Sequence, residues 1–226
     1  MLSETLKDDR PDREREAMSR LCADMAEGLH ALAQPLTILR SAVAAAGLPK
    51  VEATSQRRYL DISNQQVERA CSLFECLQDL VIAHQTEADC EPFDLLELVA
   101  PVIEDQRAVL RSSNIEFCVV VPAVMPLVLG DVARTLQPLF AALKIAASVA
   151  SPGDAVELSI SASNGLVDLV IRNRGVQGRP LNSSERLSLA LAEANIRSQQ
   201  GGYQCSEYPF RVSIQLKLGA VRSSSA

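Results

Sequence analysis

The chain has 226 residues, of which 47% are hydrophobic but only 4% are aromatic, and it contains no tryptophan. This length fits one domain of about 150 residues plus a smaller unit, and the composition predicts an aliphatic core typical of closely packed helices. The net charge of −6 argues against nucleic acid as a main partner, because phosphate binding needs an excess of lysine and arginine. No apolar run reaches the roughly 20 residues of a membrane helix, and the charged N-terminus does not resemble a signal peptide. We therefore expect a cytoplasmic protein without a membrane partner.

The N-terminal third of the chain predicts a helical hairpin. Residues 1–12 are polar and are predicted to be flexible, whereas residues 13–85 carry apolar side chains at alternating three- and four-residue steps, the pattern of a seam between near-parallel helices. Gly47 and Pro49 interrupt the pattern. Because a hairpin has one partner for two apolar stripes, we expect a second copy to complete a four-helix bundle, which makes the protein a homodimer. The seam positions are Leu21, Met25, Leu29, Leu32, Leu36, Leu39 and Val43 in the first helix and Leu60, Val67, Cys71, Phe74, Leu77 and Val81 in the second.

After a polar linker, residues 92–219 predict a mixed α and β domain. Helices are expected near 93–111, 131–150 and 184–199, and strands in "IEFCVVV", "PLVLGD", 155–162, 166–172 and the hairpin "YQCSEYPFRVSIQLKL". Asn182 followed by Glu185 predicts a capped helix start, Gly201 a left-handed helix stop, and "NGL" at 164–166 a hairpin turn. Helices on one face of a mixed sheet predict an α+β sandwich.

The six cysteines are not at metal-ligand spacing, and we expect them to be buried, reduced thiols.

The segment "EGLHALAQPLTILRSAV" at residues 27–43 contains one of the chain's two histidines and an internal proline. A helical wheel places His30 on the flank of the seam, on a strip of small or polar residues. Pro35 removes a hydrogen bond to the Ala31 carbonyl, at a cost of about 3 kcal/mol. This pattern predicts either an imidazole that another protein can approach or a solvent-facing histidine beside a tolerated kink. The strip consists of Ala26, Ala33, Gln34, Thr37 and Ser41.

The motif "HALAQPL" resembles the phosphoacceptor box of bacterial sensor histidine kinases. The resemblance extends over residues 18–218, through "EPFDLLELV", "GDVARTLQPLF", "VELSI", "LVDLVIRN" and "QQGGY". It implies an antiparallel helical hairpin that forms a dimeric four-helix bundle, followed by a degenerate Bergerat-type (GHKL) α/β sandwich. It also implies that His30 is the phosphoacceptor, whose neutral imidazole can act as a nucleophile near neutral pH.

The sequence departs from the kinase pattern at four elements together. Ala31 stands where the kinases have an acidic residue, and Ala141 and Ile145 stand at the likely positions of the asparagines that hold Mg²⁺ and phosphates. Asn173 replaces the aspartate that recognises adenine. The glycine-rich turn becomes "ERLSLA", with Arg186 and Ser188. These departures imply a domain that neither binds nor uses ATP.

We therefore expect a histidine phosphotransferase that moves phosphoryl groups between His30 and the aspartates of response-regulator receiver domains. It needs no cofactor of its own, because the receiver supplies the aspartate and the Mg²⁺. One alternative is a response-regulator phosphatase in which Gln34, one turn from His30, positions a water. The others are an active kinase with an aberrant nucleotide site and a pseudokinase scaffold that only docks partners.

Two further features have open interpretations. Arg172, Arg174, Arg179 and Arg186 cluster around the former nucleotide loop, and they predict either a site for an acidic partner or anion or a solvated loop. His84, at the exit of the hairpin, lacks a polar strip and a following proline, and we expect it to be structural or solvent-facing.

Overall fold

The computed structural model describes residues 10–49, 52–175 and 179–219 of the chain. The chain divides into two compact units, Met1–His84 and Gln85–Ala226. The predicted flexible segment 1–12 lies mostly outside the described residues. Among the described residues, none of the helices combines the length and the apolarity that crossing a membrane requires.

The first unit is a helical hairpin, as the sequence predicts. Helix α1 spans Arg10–Ala46 and helix α2 spans Ala53–Gln85. Pro35 lies inside α1 without ending it. The helix ends at Ala46, and the backbone N–H of the following Gly47 still donates to the Val43 carbonyl at 3.1 Å. The side chains that α2 buries are Ser63, Leu73, Leu77, Leu80 and Ala83.

The second unit is an α/β sandwich built on one mixed sheet. Its elements in chain order are β1 (Glu91–Asp94), α3 (Leu95–Ser112), β2 (Glu116–Val120), β3 (Leu127–Gly130), α4 (Val132–Val149), β4 (Ala155–Ser163), β5 (Leu166–Asn173), α5 (Ser183–Ser198), β6 (Gly202–Glu207) and β7 (Phe210–Leu218). The strands follow the order β1-β3-β7-β5-β4-β2, and β6 also pairs with β7. Strands β2 and β4 are parallel, and the other pairs are antiparallel.

Strand alternation explains how this sheet forms a core. On β5, Val167, Leu169 and Ile171 are completely buried, whereas Asp168 and Arg172, at alternate positions of the strand, are not. Successive side chains of a strand point to opposite faces, so one face of the sheet is apolar. The buried cluster combines this face with residues of α3, α4 and α5, including Val99, Leu143 and Ile196. The predicted α/β sandwich is therefore confirmed.

Strand β1 corrects a prediction, because its residues were expected to belong partly to the linker and partly to the helix near 93–111. It has only four residues, Glu91–Asp94, and pairs antiparallel with β3. A short stretch with a proline and two acidic residues has low β-propensity. The strand therefore forms because β3 pairs with it, which local sequence does not indicate.

The local signals around α5 are confirmed at one end and corrected at the other. Asn182 accepts a hydrogen bond from the Glu185 backbone N–H at 3.0 Å, and the Glu185 carboxylate accepts one from the Asn182 N–H at 2.9 Å, which forms the predicted capping box. After the helix, Gln200 and not Gly201 has the positive φ, of 59°. Gly201 is needed because a Cβ there would lie 2.7 Å from Ile196 Cγ2 and 2.8 Å from the Gln215 carbonyl oxygen. The predicted turn at Asn164 is confirmed by its positive φ.

The cysteines are free thiols, but the expectation that they are buried is wrong. Cys22, Cys71, Cys90 and Cys205 are exposed, and Cys76 and Cys118 are partly buried. An amphipathic helix or strand has both buried and exposed positions along its sequence. A cysteine within such an element can therefore lie on the exposed face, even where its neighbours in sequence are apolar.

Candidate functional site

The candidate site is one face of α1 in the helical hairpin. His30 is exposed there, as are the predicted strip residues. At 100° per residue all of them fall on one side of the helix. The exposed strip consists of Ala26, Ala33, Gln34, Thr37 and Ser41.

Two hydroxyl groups of this strip are turned back onto the helix. Thr37 Oγ1 donates to the Ala33 carbonyl at 2.8 Å, and Ser41 Oγ donates to the Thr37 carbonyl at 3.0 Å. Hydroxyls bound in this way use their hydrogen within the helix and keep only acceptor lone pairs for a partner. The strip therefore leaves the His30 imidazole and the Gln34 carboxamide as its main outward polar groups.

A second face of α1 is buried and consists of small residues. Gly28, Ala31, Pro35 and Ala42 are buried at spacings of three, four and seven residues. Pro35 therefore lies on the face opposite the His30 strip, where it is buried. Ala31, which follows His30, has a methyl group and supplies no base to orient the imidazole.

A third face of the hairpin exposes large apolar side chains at seven-residue spacing. Leu29, Leu36 and Val43 form this stripe on α1, and Leu60, Val67 and Phe74 form it on α2. A seven-residue apolar repeat is typical of helices that pack side by side. Helix α1 thus has three distinct faces: one that packs within the chain, one that carries the exposed apolar stripe, and the strip around His30.

In the α/β unit, the positions at which the resemblance to histidine kinases predicts Mg²⁺ and phosphate ligands carry apolar side chains. Ala141 and Ile145 on α4 are 9% and 4% exposed. Neither side chain has an oxygen that could bind Mg²⁺. Among the described residues, no group of three or more histidine, cysteine, aspartate or glutamate side chains could hold a metal ion.

Asn173, which the resemblance places at the adenine-recognising position, is hydrogen-bonded to the chain itself. Asn173 is 6% exposed, and its Oδ1 accepts a hydrogen bond from the Gly175 backbone N–H at 2.8 Å. On α5, Ser188 donates to the Ser184 carbonyl at 3.0 Å, and Arg186 pairs with Glu207 at 3.2 Å. These groups are therefore bound to neighbours within the unit.

A polar network joins the end of α4 to the start of α5. Ser148 Oγ and the Arg179 guanidinium both contact the Glu185 carboxylate, with 2.8 Å between Ser148 Oγ and Glu185 Oε1 and 2.7 Å between Arg179 Nη1 and Glu185 Oε2. Burial raises the pKa of Glu185, but its hydrogen bonds from Arg179, Asn182 and Ser148 and the charge of Arg179 outweigh burial, so the pKa is lowered overall. Glu185 is thus a structural anion of this unit.

The predicted arginine cluster is divided among different partners. Arg179 binds Glu185 and Arg186 binds Glu207, whereas Arg172 and Arg174 both bind Glu157. Glu157, which lies inside the strand segment "VELSI", was not among the predicted site residues. The one feature that could have indicated it is a charged residue within an apolar strand. Its pairing depends on the strand register that sets Glu157 opposite Arg172, and a single sequence does not give that register.

Comparison with solved structures identifies the fold. The chain is similar to the Acinetobacter baumannii histidine kinase AdeS, with 22% identity, a TM-score of 0.65, and coverage of 84% of this chain and 98% of that one. It is also similar to the histidine kinase ThkA in complex with the response regulator TrrA, with 18% identity, a TM-score of 0.69, and coverage of 96% and 67%. The fold is that of a histidine kinase core. A third similar structure is full-length ShkA in complex with AMPPNP, with 17% identity, a TM-score of 0.59, and coverage of 87% and 46%.

No family model matches the chain, and no curated protein matches it significantly. At these identities the solved structures establish only the histidine kinase fold, a helical hairpin followed by an ATPase-like sandwich. The chemistry has to be argued from the residues described above.

Proposed function

We propose that the protein is a two-component histidine phosphotransferase, in which His30 accepts a phosphoryl group from one response-regulator receiver domain and donates it to another without ATP. The observation that supports this proposal is an exposed histidine on a strip of small residues, carried by the hairpin of a histidine kinase fold. A receiver domain needs an accessible imidazole and a flat surface on which to dock, and this face of α1 has both.

The α/β unit supports the ATP-free part of the proposal. The two positions aligned with Mg²⁺ ligands are Ala141 and Ile145, and the Asn173 carboxamide oxygen is bound to the chain's own backbone. A nucleotide and its Mg²⁺ need oxygen and nitrogen ligands that these side chains do not supply. We propose no step through a nucleotide.

In the proposed reaction, an imidazole nitrogen of neutral His30 attacks the phosphorus of a receiver's aspartyl phosphate. The nitrogen–phosphorus bond forms as the bond between phosphorus and the aspartate oxygen breaks, and the carboxylate leaves with the bonding electrons. The reverse reaction on a second receiver restores the imidazole. The receiver supplies Mg²⁺, so this chain contributes a nucleophile and its position.

The proposed assembly is a homodimer that binds receiver domains. The exposed apolar stripes through Leu29 and Leu36 on α1 and Phe74 on α2 are the surface that a second copy would cover to complete a four-helix bundle. ThkA, which has the same fold, was solved in complex with the response regulator TrrA, and this supports docking of a receiver domain on such a scaffold.

A transfer assay with a phosphorylated receiver domain as donor tests the proposal. His30→Ala should abolish labelling of this protein, because no other side chain of the strip can accept the group. Gln34→Ala is the matched control: it lies one turn away on the same face and should change the rate only modestly. Undiminished labelling of the His30→Ala variant would exclude His30 as the acceptor.

The second candidate function is a response-regulator phosphatase, which the exposed Gln34 supports. A carboxamide one turn from His30 could hold a water in line with a bound aspartyl phosphate. In that case Gln34→Ala should slow the loss of receiver phosphate by about 10²-fold, the contribution of a positioned catalytic group, and His30→Ala should leave it largely intact. If neither substitution alters the phosphate of any receiver that binds, the protein is a docking scaffold.

Incubation of the purified protein with labelled ATP and Mg²⁺ tests the remaining alternative. We expect no label on His30, because Ala31 provides no base and α4 provides no metal ligand. Stoichiometric labelling that disappears in the His30→Ala variant would instead identify an active kinase.

A further inference from the structure

A cleft with a volume of about 840 Å³ lies in the α/β unit at one end of the sheet. It is formed where β5 ends and where the turn between β6 and β7 brings Tyr208 close. Arginines 172, 174 and 211 line it, and Val149 and Phe210 form part of its apolar wall. We refer to it as the arginine cleft. It is open to solvent, and it lies outside the helical hairpin that carries His30.

A row of charged side chains crosses three strands beside the cleft. In the register of the sheet, Glu157 of β4 lies opposite Arg172 of β5, and Arg172 lies opposite Arg211 of β7. Side chains directly opposite each other on neighbouring strands interact, and like charges in such positions are destabilising. The sheet therefore holds two arginines next to each other at the edge of an open cleft.

Glu157 balances only part of this charge. Its carboxylate is nearly buried, at 3% exposure, and it binds Arg172 Nη2 at 2.7 Å and also Arg174. The two guanidinium groups remain accessible, with side chains that are 44% and 51% exposed. Glu157 thus fixes both arginines at the mouth of the cleft, because a buried carboxylate needs them both to stay paired.

Arg211 has no such partner. Among the described residues, its side chain forms no ion pair and no hydrogen bond, and the nearby Glu207 is paired with Arg186. The cleft therefore has an excess of positive charge on a chain whose net charge is −6. This excess is a local feature that the average charge of the protein does not explain.

We propose that the arginine cleft is a docking surface for an acidic segment of a partner protein. Carboxylates of the segment would pair with Arg211 and Arg172, and an apolar residue next to them would contact Tyr208, which is 58% exposed at the rim. Arginine and tyrosine are the residues that protein interfaces favour at their energetic centres, and paired carboxylates would offset the repulsion between the two arginines. The proposal does not depend on phosphotransfer at His30.

The open shape of the cleft favours a protein segment over a small anion. A small-molecule site encloses most of its ligand, whereas here the guanidinium groups that would bind the ligand are about half exposed. An extended acidic segment can reach all three arginines and Tyr208 at the rim at once. Because such a segment would form two or more ion pairs, its binding should weaken as the salt concentration rises.

The test uses the full-length protein and fluorescence anisotropy. The probe is a fluorescein-labelled peptide in which aspartate and glutamate alternate with serine and leucine, and the reference probe has the corresponding amides. We expect the acidic peptide to bind, to bind more weakly as salt is raised, and to outcompete the amide peptide. If the acidic peptide does not bind at millimolar protein, or binds no better than the amide peptide, the proposal is wrong.

Substitutions then locate the binding site. Arg211→Gln and Arg172→Gln should each weaken the binding of the acidic peptide about three- to tenfold. Arg111→Gln is the matched control, because it removes the same charge from an exposed arginine of α3 outside the cleft. Equal weakening by Arg111→Gln would reduce the effect to net charge and overturn the proposal.

Two further measurements separate docking from a structural role and from a small anion site. Arg211→Gln removes a like-charge pair, so its Tm should equal or exceed that of the wild type even though the peptide binds more weakly. Tyr208→Ala should also weaken the binding of the peptide and leave the Tm of the protein unchanged. Inorganic phosphate that raises the Tm of the wild type but not of Arg211→Gln, in the absence of peptide binding, would show a phosphate site and exclude the docking surface.

Discussion

The two units of the chain differ in how far they bury their large apolar side chains. In the α/β unit, large side chains such as Leu169 and Ile214 are completely buried by residues of the same unit. In the helical hairpin, Leu29, Leu36 and Phe74 lie exposed although they follow an apolar repeat. A repeat of this kind has a cost in water unless something covers it. The α/β unit therefore contains its own core, whereas the hairpin has an exposed apolar surface, which the proposed dimer would cover.

The polar groups at the predicted nucleotide positions also differ from the imidazole of the His30 strip. In the α/β unit, Asn173, Glu185 and Arg186 are bound to groups of that unit. In the hairpin, the hydroxyls of Thr37 and Ser41 are bound within α1, and the His30 imidazole is exposed. A binding surface needs accessible groups on a regular element, and α1 carries the exposed His30 imidazole on a helix. The candidate site for chemistry therefore lies on the unit whose apolar surface is incomplete.

The largest effect is expected from a charge in the hairpin seam. Leu32→Glu would place an unpaired carboxylate in the proposed dimer interface, where an uncompensated buried charge costs roughly 3–5 kcal/mol. Sedimentation at micromolar concentration should show a monomer. Ala44→Glu adds the same charge to an exposed position of α1 outside the seam and should leave the dimer intact. A Leu32→Glu variant that remains dimeric would contradict the proposed bundle.

The complementary experiment removes volume from the α/β core. Leu169→Ala should lower the free energy of unfolding of that unit by about 2–5 kcal/mol, because Leu169 is completely buried in the sheet. Sedimentation should still show the dimer, since the hairpin seam is unchanged. The exposed Val43 provides the matched comparison: Val43→Ala should barely affect unfolding of the α/β unit. Dimer loss in the Leu169→Ala variant would show that the sandwich contributes to assembly.

The long periodic elements could be predicted from the sequence because their signals are local. The seven-residue repeat predicts α1 and α2, alternation predicts β4 and β5, and the pair Asn182 and Glu185 predicts the start of α5. Each signal lies within one element and survives in the folded chain. The exposure of His30 also follows from its angle to the seam on a single helix.

The features that were missed depend on contacts between distant segments. Strand β1 forms against β3, and the need for Gly201 arises from the approach of Gln215, which belongs to another strand. The row through Glu157, Arg172 and Arg211 exists only in the register of three strands. A single sequence does not contain that register, because one-residue shifts change which charges are neighbours.

A smaller effect is expected where α4 and α5 are joined by Glu185. Glu185→Gln keeps the size of the side chain but removes the charge that binds Arg179 and weakens the capping box. At neutral pH it should lower the free energy of unfolding by about 1–2 kcal/mol. Glu193→Gln is the control, because Glu193 forms an exposed pair with Arg197 within one helix, and such pairs contribute about 0.5 kcal/mol or less.

The pH dependence of this effect has a definite sign. The pKa of Glu185 in the folded protein is lowered from its ordinary value of 4.5. The unfolded chain therefore binds the proton at a higher pH than the folded one, so the stabilisation is fully present above about pH 4.5 and is lost as the pH falls through the lowered pKa. Denaturant unfolding at several pH values should show the wild type and the Glu185→Gln variant differing at pH 7 and converging in acid. A difference that stays constant down to the lowest pH at which the protein folds would mean that shape and not charge accounts for the contribution of Glu185.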